Sequence, residues 1–290
     1  MKIIKILSVG ILTLTFAVVK AQTDTNALLW EISGNGLEQP SYIFGILKFI
    51  PADKYYFPAN AEAALKKCQV VATETGLDHH SMHEMNKAAH LEHHQSIDEF
   101  IGEDYYEKLK SIFTDKLNVS DFKFNMVYKK FKPVMLSTTM TRLAQGENIK
   151  FYELELTSKA HSMGLVSVAL ENIEKEISML EKMTIESQTN ALKHTLDNYD
   201  KQISDYQKLV DFYKEGNLHQ SLEYALHPIE NDENFVKYFV NERNSSWIPK
   251  IESYSKQAPT FYILGVTHLA DEHGVIAQLR GKGYTVKPVQ

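Results

Sequence analysis

One cysteine, Cys68, stands in 290 residues. No disulfide can form within the chain, so the fold must rest on its apolar core. Cys68 lies in AALKKCQVVATE, a context for a small buried apolar residue rather than a nucleophile. A long basic run is missing too, and with a formal net charge of −6 nothing favours a nucleic-acid partner. There is no glycine-rich phosphate loop and no Gly-x-Ser-x-Gly elbow, which removes phosphate-loop and serine-elbow chemistry. No Pro- or Ser-rich linker divides the chain, and only one apolar run approaches the length of a membrane span.

That run is at the N-terminus, MKIIKILSVGILTLTFAVVKAQT. Lys2 and Lys5 precede an apolar stretch from Ile6 to Val19 that is short for a bilayer, and polar sequence follows Lys20-Ala21-Gln22. This predicts a secretory signal peptide over residues 1–21, a secreted or periplasmic location, and no membrane span after cleavage. An uncleaved N-terminal anchor is the other reading. Lys2, Lys5 and Lys20 leave with the segment, taking the formal charge from −6 to −9.

Residues 27–33 (ALLWEIS), the turn Gly34-Asn35-Gly36 and residues 41–44 (SYIF) read as an opening β-hairpin. A short helix over 60–68 leads into the strand QVVATE at 69–74. Helices are expected over 96–113, where Ser96 and Glu99 have capping-box spacing, over 121–143, kinked or broken at Pro133, and over 151–163, closed by Gly164. LVSVAL at 165–170 reads as a buried strand. Leu192, Leu196, Tyr199, Ile203, Tyr206, Val210 and Tyr213 step by fours and threes, which places them on one face of a long helical pattern ended by Gly216-Asn217. A helix over 235–251, a strand over 259–265, a helix over 274–281 and a strand over 284–289 complete the chain. Met126, Met135 and Met140 are expected in the core, and Asp115, Lys116 and Asp121 in solvated loops. Strands at both ends, one strand in the middle and helices between them imply an α/β fold. Its mixed central sheet would carry a large helical insertion, with residues 22–290 forming one domain.

Three of these apolar strands end on groups that are costly to bury unpaired: QVVATE on Glu74, LVSVALE on Glu171, and FYILGVTH on His268. Functional groups in α/β folds collect beyond the carboxyl ends of the strands, so three such ends in one chain point to a shared site. There is also an internal match. Tyr42-Ile43-Phe44-Gly45-x-x-Lys48 parallels Tyr262-Ile263-Leu264-Gly265-x-x-His268. A glycine after an apolar strand permits a sharp turn or close packing, and the residue three later would project from that turn.

On these blocks the chain resembles the TraB/PrgY/GumN family, which includes the Tiki proteases and is similar to the erythromycin-esterase/ChaN-like group. The resemblance runs from LLWEIS-GNGLEQPSYIFG through VVATE, YELELTSKAHSMGLVSVALENIEKEISML and NERNSSW to YILGVTHLADEHGVIAQLRGKGYTVKPV. It implies a metal-dependent, protease-like hydrolase site with two Gly-x-x-His motifs and a strand-ending glutamate. It places the glutamate on Glu74, the second histidine on His268, a further acid on Glu171 and an arginine on Arg243. The cofactor implied is a divalent metal (Mn, Co or Zn) held by Glu74 and His268, and the ligand a peptide or protein. The first motif departs from Gly-Thr-x-His, because Gly45-Ile46-Leu47-Lys48 ends in lysine. A lysine ammonium has no lone pair to give a metal. The site is therefore either a working hydrolase or a non-catalytic descendant that binds a peptide or signalling factor.

Six of the 12 histidines fall in DHHSMHEMNKAAHLEHH. On a continuous helix His79, His83, His90 and His94 would share one face, and i,i+4 pairs of this kind can chelate a metal. A solvated polar loop is the plainer reading of the same segment, residues 79–94.

Overall fold

The computed structural model describes residues 27–92, 94–225 and 233–290. The expected signal peptide lies outside them. Eight strands are present among these residues: β1 (Leu29–Ser33), β2 (Ser41–Ile46), β3 (Ile50–Pro51), β4 (Val70–Thr73), β5 (Ile149–Lys150), β6 (Val166–Ala169), β7 (Thr260–Gly265) and β8 (Thr285–Pro288). Six form a mixed central sheet in the order β6-β4-β7-β2-β1-β8, and β3 pairs with β5 apart from it. β6, β4, β7 and β2 are mutually parallel, while β1 runs antiparallel to both β2 and β8. The opening hairpin turns through three successive left-handed residues, Gly34, Asn35 and Gly36. Glycine and asparagine are the residues that adopt this conformation at least cost.

The middle strands are largely apolar because both of their faces are covered. Ile43, Phe44, Phe261, Tyr262 and Ile263 are fully buried. β6 differs from its expectation as a buried strand. It lies at the sheet edge, with Val166 and Ser167 exposed. Cys68 is buried, its Sγ directed at the Ala64 carbonyl, and burial pushes the thiol up to about 12, the pattern of an inert packing residue.

The helical stripe from Leu192 to Tyr213 is two helices, Ile185–Asp197 and Tyr199–Lys214, broken at Asn198. Leu192, Leu196 and Tyr199 pack with Ile97, Phe113 and Phe124 in a helical core of their own. Tyr206, Leu209, Val210 and Tyr213 pack instead on the central sheet. One periodic stripe thus serves two cores.

Other boundaries move for local reasons. The expected 96–113 helix is divided by Gly102 (φ 80°) into Asp98–Ile101 and Glu103–Ser111. Pro133 starts a helix, Pro133–Ala144, rather than kinking one, since its missing N–H costs nothing in the first turn. Met140 is buried as expected, but Met126 is 53% exposed. The expected 235–251 helix changes type along its length: wide π-type turns over Phe235–Glu242 precede the α-helix Arg243–Gln257. The histidine segment forms the helix His79–Ala88, capped by the Asp78 carboxylate, and stops there. His90 lies beyond it in a bridge to Phe131, and His94 has φ 67°. The shared face of four histidines is therefore not formed.

Candidate functional site

The carboxyl ends of β4, β6, β7 and β2 lie along one edge of the sheet. Pairing of β4 with β6 continues past the strands themselves: Leu170 N–H donates to the Thr73 carbonyl and Glu171 N–H to the Glu74 carbonyl, both at 2.9 Å. Glu74 and Glu171 thus leave neighbouring strands together, and Arg243 joins them. Its Nε donates to Glu171 Oε1 at 2.6 Å and its Nη2 to Glu74 Oε2 at 3.1 Å, with Glu176 Oε1 3.8 Å away. The guanidinium is wholly buried between the rings of Phe239 and Trp247, and Nη1 reaches the Phe239 carbonyl at 3.4 Å. A buried cation of this kind is tolerable only with close counter-charges, and three carboxylates supply them. The wide turns before Arg243 match the frequent placement of π-type turns at functional sites.

The two glycine turns are next to one another, because β2 and β7 are parallel neighbours. They are staggered by one residue: Gly45 pairs with Leu264, and Ile46 with Gly265. A Cβ on Gly45 would come within 2.7 Å of Leu269 Cδ1 and 3.2 Å of Val266 Cγ1, so the missing side chain lets the second turn close over the first. Gly265 N–H donates to Glu74 Oε1 at 2.7 Å, and a Cβ there would sit 3.3 Å from that oxygen. Gly274 closes the same loop, where a Cβ would lie 2.0 Å from the Ala270 carbonyl oxygen. No side chain fits at that position.

His268 is buried beside Trp247, with 4.6 Å between ring centroids. Its Nδ1 is 2.7 Å from Asn244 Oδ1. Asn244 Nδ2 donates to the His273 carbonyl at 3.0 Å, which fixes the amide with its oxygen towards the imidazole. Nδ1 therefore carries the hydrogen and Nε2 the lone pair. Nε2 lies 3.7 Å from Glu74 Oε2, beyond hydrogen-bonding distance. Burial holds the imidazole well below the usual histidine range, reinforced by the charges of Arg243 and Lys48 against the opposing pull of Glu74. His268 is accordingly neutral at pH 7. Burial alone would raise Glu74, but nearby positive charge and the Gly265 N–H hold it well below the ordinary carboxylate range. With His268 neutral, that charge comes from Arg243 and Lys48.

Lys48, Glu74 and His268 line one cavity of about 130 Å³. Leu47, Phe49, Tyr206, Leu209, Phe235 and Phe239 form its apolar walls. Lys48 stands at the exposed rim, its Nζ 5.8 Å from the centroid of Phe239. Of the residues singled out in the sequence, Lys48, Gly45, Glu74, Glu171, Arg243, Gly265 and His268 are brought together at this edge, while His79, His83, His90 and His94 lie elsewhere. Asn244, Trp247, Glu176 and Glu153 belong to the neighbourhood and carry no sequence signal beyond their places in NERNSSW, ENIEKEISML and YELEL. Glu153 has an enclosed Oε1 with no hydrogen-bond partner. Burial first, then the charges of Glu74 and Glu176, push its carboxyl up to about 8.

As it stands, the donor set does not fit a divalent cation. His268 Nε2 and Glu74 Oε2 are two lone-pair donors, whereas a catalytic zinc site takes three from the protein. Oε2 is already bound to the Arg243 cation, and Lys48 offers an ammonium. Among the described residues no group of three or more His, Cys, Asp or Glu is placed to hold a metal ion.

A model of the TraB/PrgY/gumN family matches residues 28–288. No curated protein and no solved structure matches the chain. Among the described residues no helix is long and apolar enough to cross a membrane.

Proposed function

The chain belongs to the TraB/PrgY/gumN family, and we propose that it is an exported protein that holds a peptide segment in the Lys48–Glu74–His268 pocket without cleaving it. Export rests on the N-terminal segment, and the peptide on the resemblance to the Tiki proteases and on the apolar walls of the cavity. The observation that carries the loss of cleavage is Lys48 itself. An ammonium at the mouth of the pocket supplies no lone pair where the family motif has an imidazole. The other titratable groups that line the cavity, Glu74 and His268, are weak proton acceptors. Glu74 is stabilised as a carboxylate by Arg243 and Gly265, and burial makes His268 give up its proton well below neutral pH. Efficient proton transfer asks for a base whose pKa is near the working pH.

A second reading, retained hydrolysis, is favoured by one feature. His268 Nε2 and Glu74 Oε2 converge on the same cavity 3.7 Å apart. Incubating the protein with a peptide library and reading the products by mass spectrometry separates the two. The expected result is no cleavage above that seen with Glu74→Gln, with or without added Mn²⁺ or Co²⁺. Cleavage by the wild type that disappears in Glu74→Gln would establish the second reading and defeat the first.

A further inference from the structure

We propose that the pocket recognises the free C-terminal end of a peptide whose last residue is apolar, the side chain entering the cavity and the α-carboxylate pairing with Lys48. The inference rests on the peptide-binding reading and names what that peptide presents. It follows from the distribution of charge and greasy surface around one opening. Leu47, Phe49, Tyr206, Leu209 and Phe239 are all buried and line the cavity. Tyr206 turns its hydroxyl away, donating it to the Phe49 carbonyl, so the ring is what remains to face a ligand. An apolar cavity of about 150 Å³ is known to take a benzene molecule, so the 130 Å³ here suits one branched aliphatic or single-ring side chain.

The charged groups of this neighbourhood are mostly spent on each other. Arg243 is tied to Glu74 and Glu171. Lys48 acts on Glu74 and Glu153 only from a distance: among the described residues no carboxylate lies within ion-pair distance of it, and its Nζ lies over the Phe239 ring at the edge of the apolar wall. A cation beside a greasy hole selects a ligand that carries an anion next to an apolar group. A C-terminal Phe or Leu has that shape, with its carboxylate one bond from the side-chain-bearing carbon. An N-terminal or internal segment would bring an ammonium or a neutral amide to Lys48 instead. Fatty acids share the carboxylate and the apolar body, but their unbranched chain is longer than a cavity of this size accommodates.

Fluorescence anisotropy on the full-length protein tests this, using a labelled hexapeptide ending in Phe, as the free acid and as the C-terminal amide. The free acid is expected to bind about 10–100-fold tighter, the range for a hydrogen bond to a charged group. Lys48→Met should erase the preference and Lys48→Arg should keep it. Equal binding of acid and amide by the wild type overturns the carboxylate assignment and leaves the peptide-binding reading standing. Binding of neither overturns both. Displacement of the peptide by decanoate at lower concentration than by unlabelled peptide also overturns it, because the ligand would then be a lipid acid.

Discussion

Replacing Arg243 with alanine is expected to lower the unfolding free energy by about 3–5 kcal/mol at pH 7.5, the cost of removing one partner of a buried ion pair. The corresponding fall in Tm is roughly 6–20 °C. The guanidinium is fully buried, and Glu171, Glu176 and Glu74 expose only 1%, 9% and 14% of their side chains. None of these carboxylates can simply rotate into water. The dependence on pH has a definite sign. The folded pKa of Glu74 lies below its unfolded value of 4.5, so it contributes stability above about pH 4.5 that is lost as pH falls through the folded pKa. The variant lacks the part of that contribution that Arg243 supplies. The gap between wild type and Arg243→Ala should therefore be widest near neutrality and narrow on acidification. Urea unfolding at pH 7.5 and at about pH 3, between the folded and unfolded pKa of Glu74, followed by the fluorescence of Trp247 against the guanidinium, measures it. A loss below about 1 kcal/mol at pH 7.5 would mean that the carboxylates find other partners.

Glu153→Gln should do the reverse and stabilise the protein at alkaline pH. The folded state holds a proton on Glu153 up to about pH 8, whereas the unfolded chain releases it near 4.5. A raised folded pKa makes stability fall as pH climbs between those two values, and the deficit is complete above the higher one. At about 1.4 kcal/mol for each pKa unit, the ceiling is roughly 4–5 kcal/mol. Part of it is shared with Glu74, whose charge is the second cause of the shift, so about 1–3 kcal/mol is expected at pH 8 and under about 0.5 kcal/mol at pH 5. Glutamine keeps the shape and removes the ionisation. Chemical denaturation of both proteins at the two pH values is the check. An equal gain at both would assign the effect to packing, and a loss at pH 8 would show that the carboxylate is needed as an anion.

Residues 153 and 155 show what sequence can and cannot reveal. Both are glutamates in YELEL at the start of the same helix, and both look like surface charges. Glu155 is one, paired with Lys150 at 2.8 Å. Glu153 has an oxygen enclosed near the site, and only the tertiary fold separates the two. The strand ends were legible because a carboxylate or imidazole closing an apolar run is itself an anomaly. The matching glycine turns were legible by their repetition, though not that β2 and β7 would be neighbours with the motifs staggered by one residue. The stripe from Leu192 to Tyr213 was legible as periodicity, but the break at Asn198 was not, since steps of three and four continue across it. The histidine pattern misled for the opposite reason. Its spacing suited one long helix, but Leu91 N–H pairs with the Lys130 carbonyl and Lys132 N–H with the Ala89 carbonyl, which draws the chain into an extended connection after Ala88. Asn244 could not be assigned from sequence, because orienting an imidazole from a helix 24 residues away leaves no local mark.

The most direct test of whether Lys48 decides the chemistry of this pocket is the metal content of wild type and Lys48→His, each purified without chelator, loaded with Co²⁺ or Mn²⁺ and dialysed. Near-stoichiometric metal in Lys48→His and little in the wild type is the expected result, because the imidazole adds a third donor to His268 and Glu74 and removes a cation from beside them. The same metal content in both proteins, whether high or low, would contradict it.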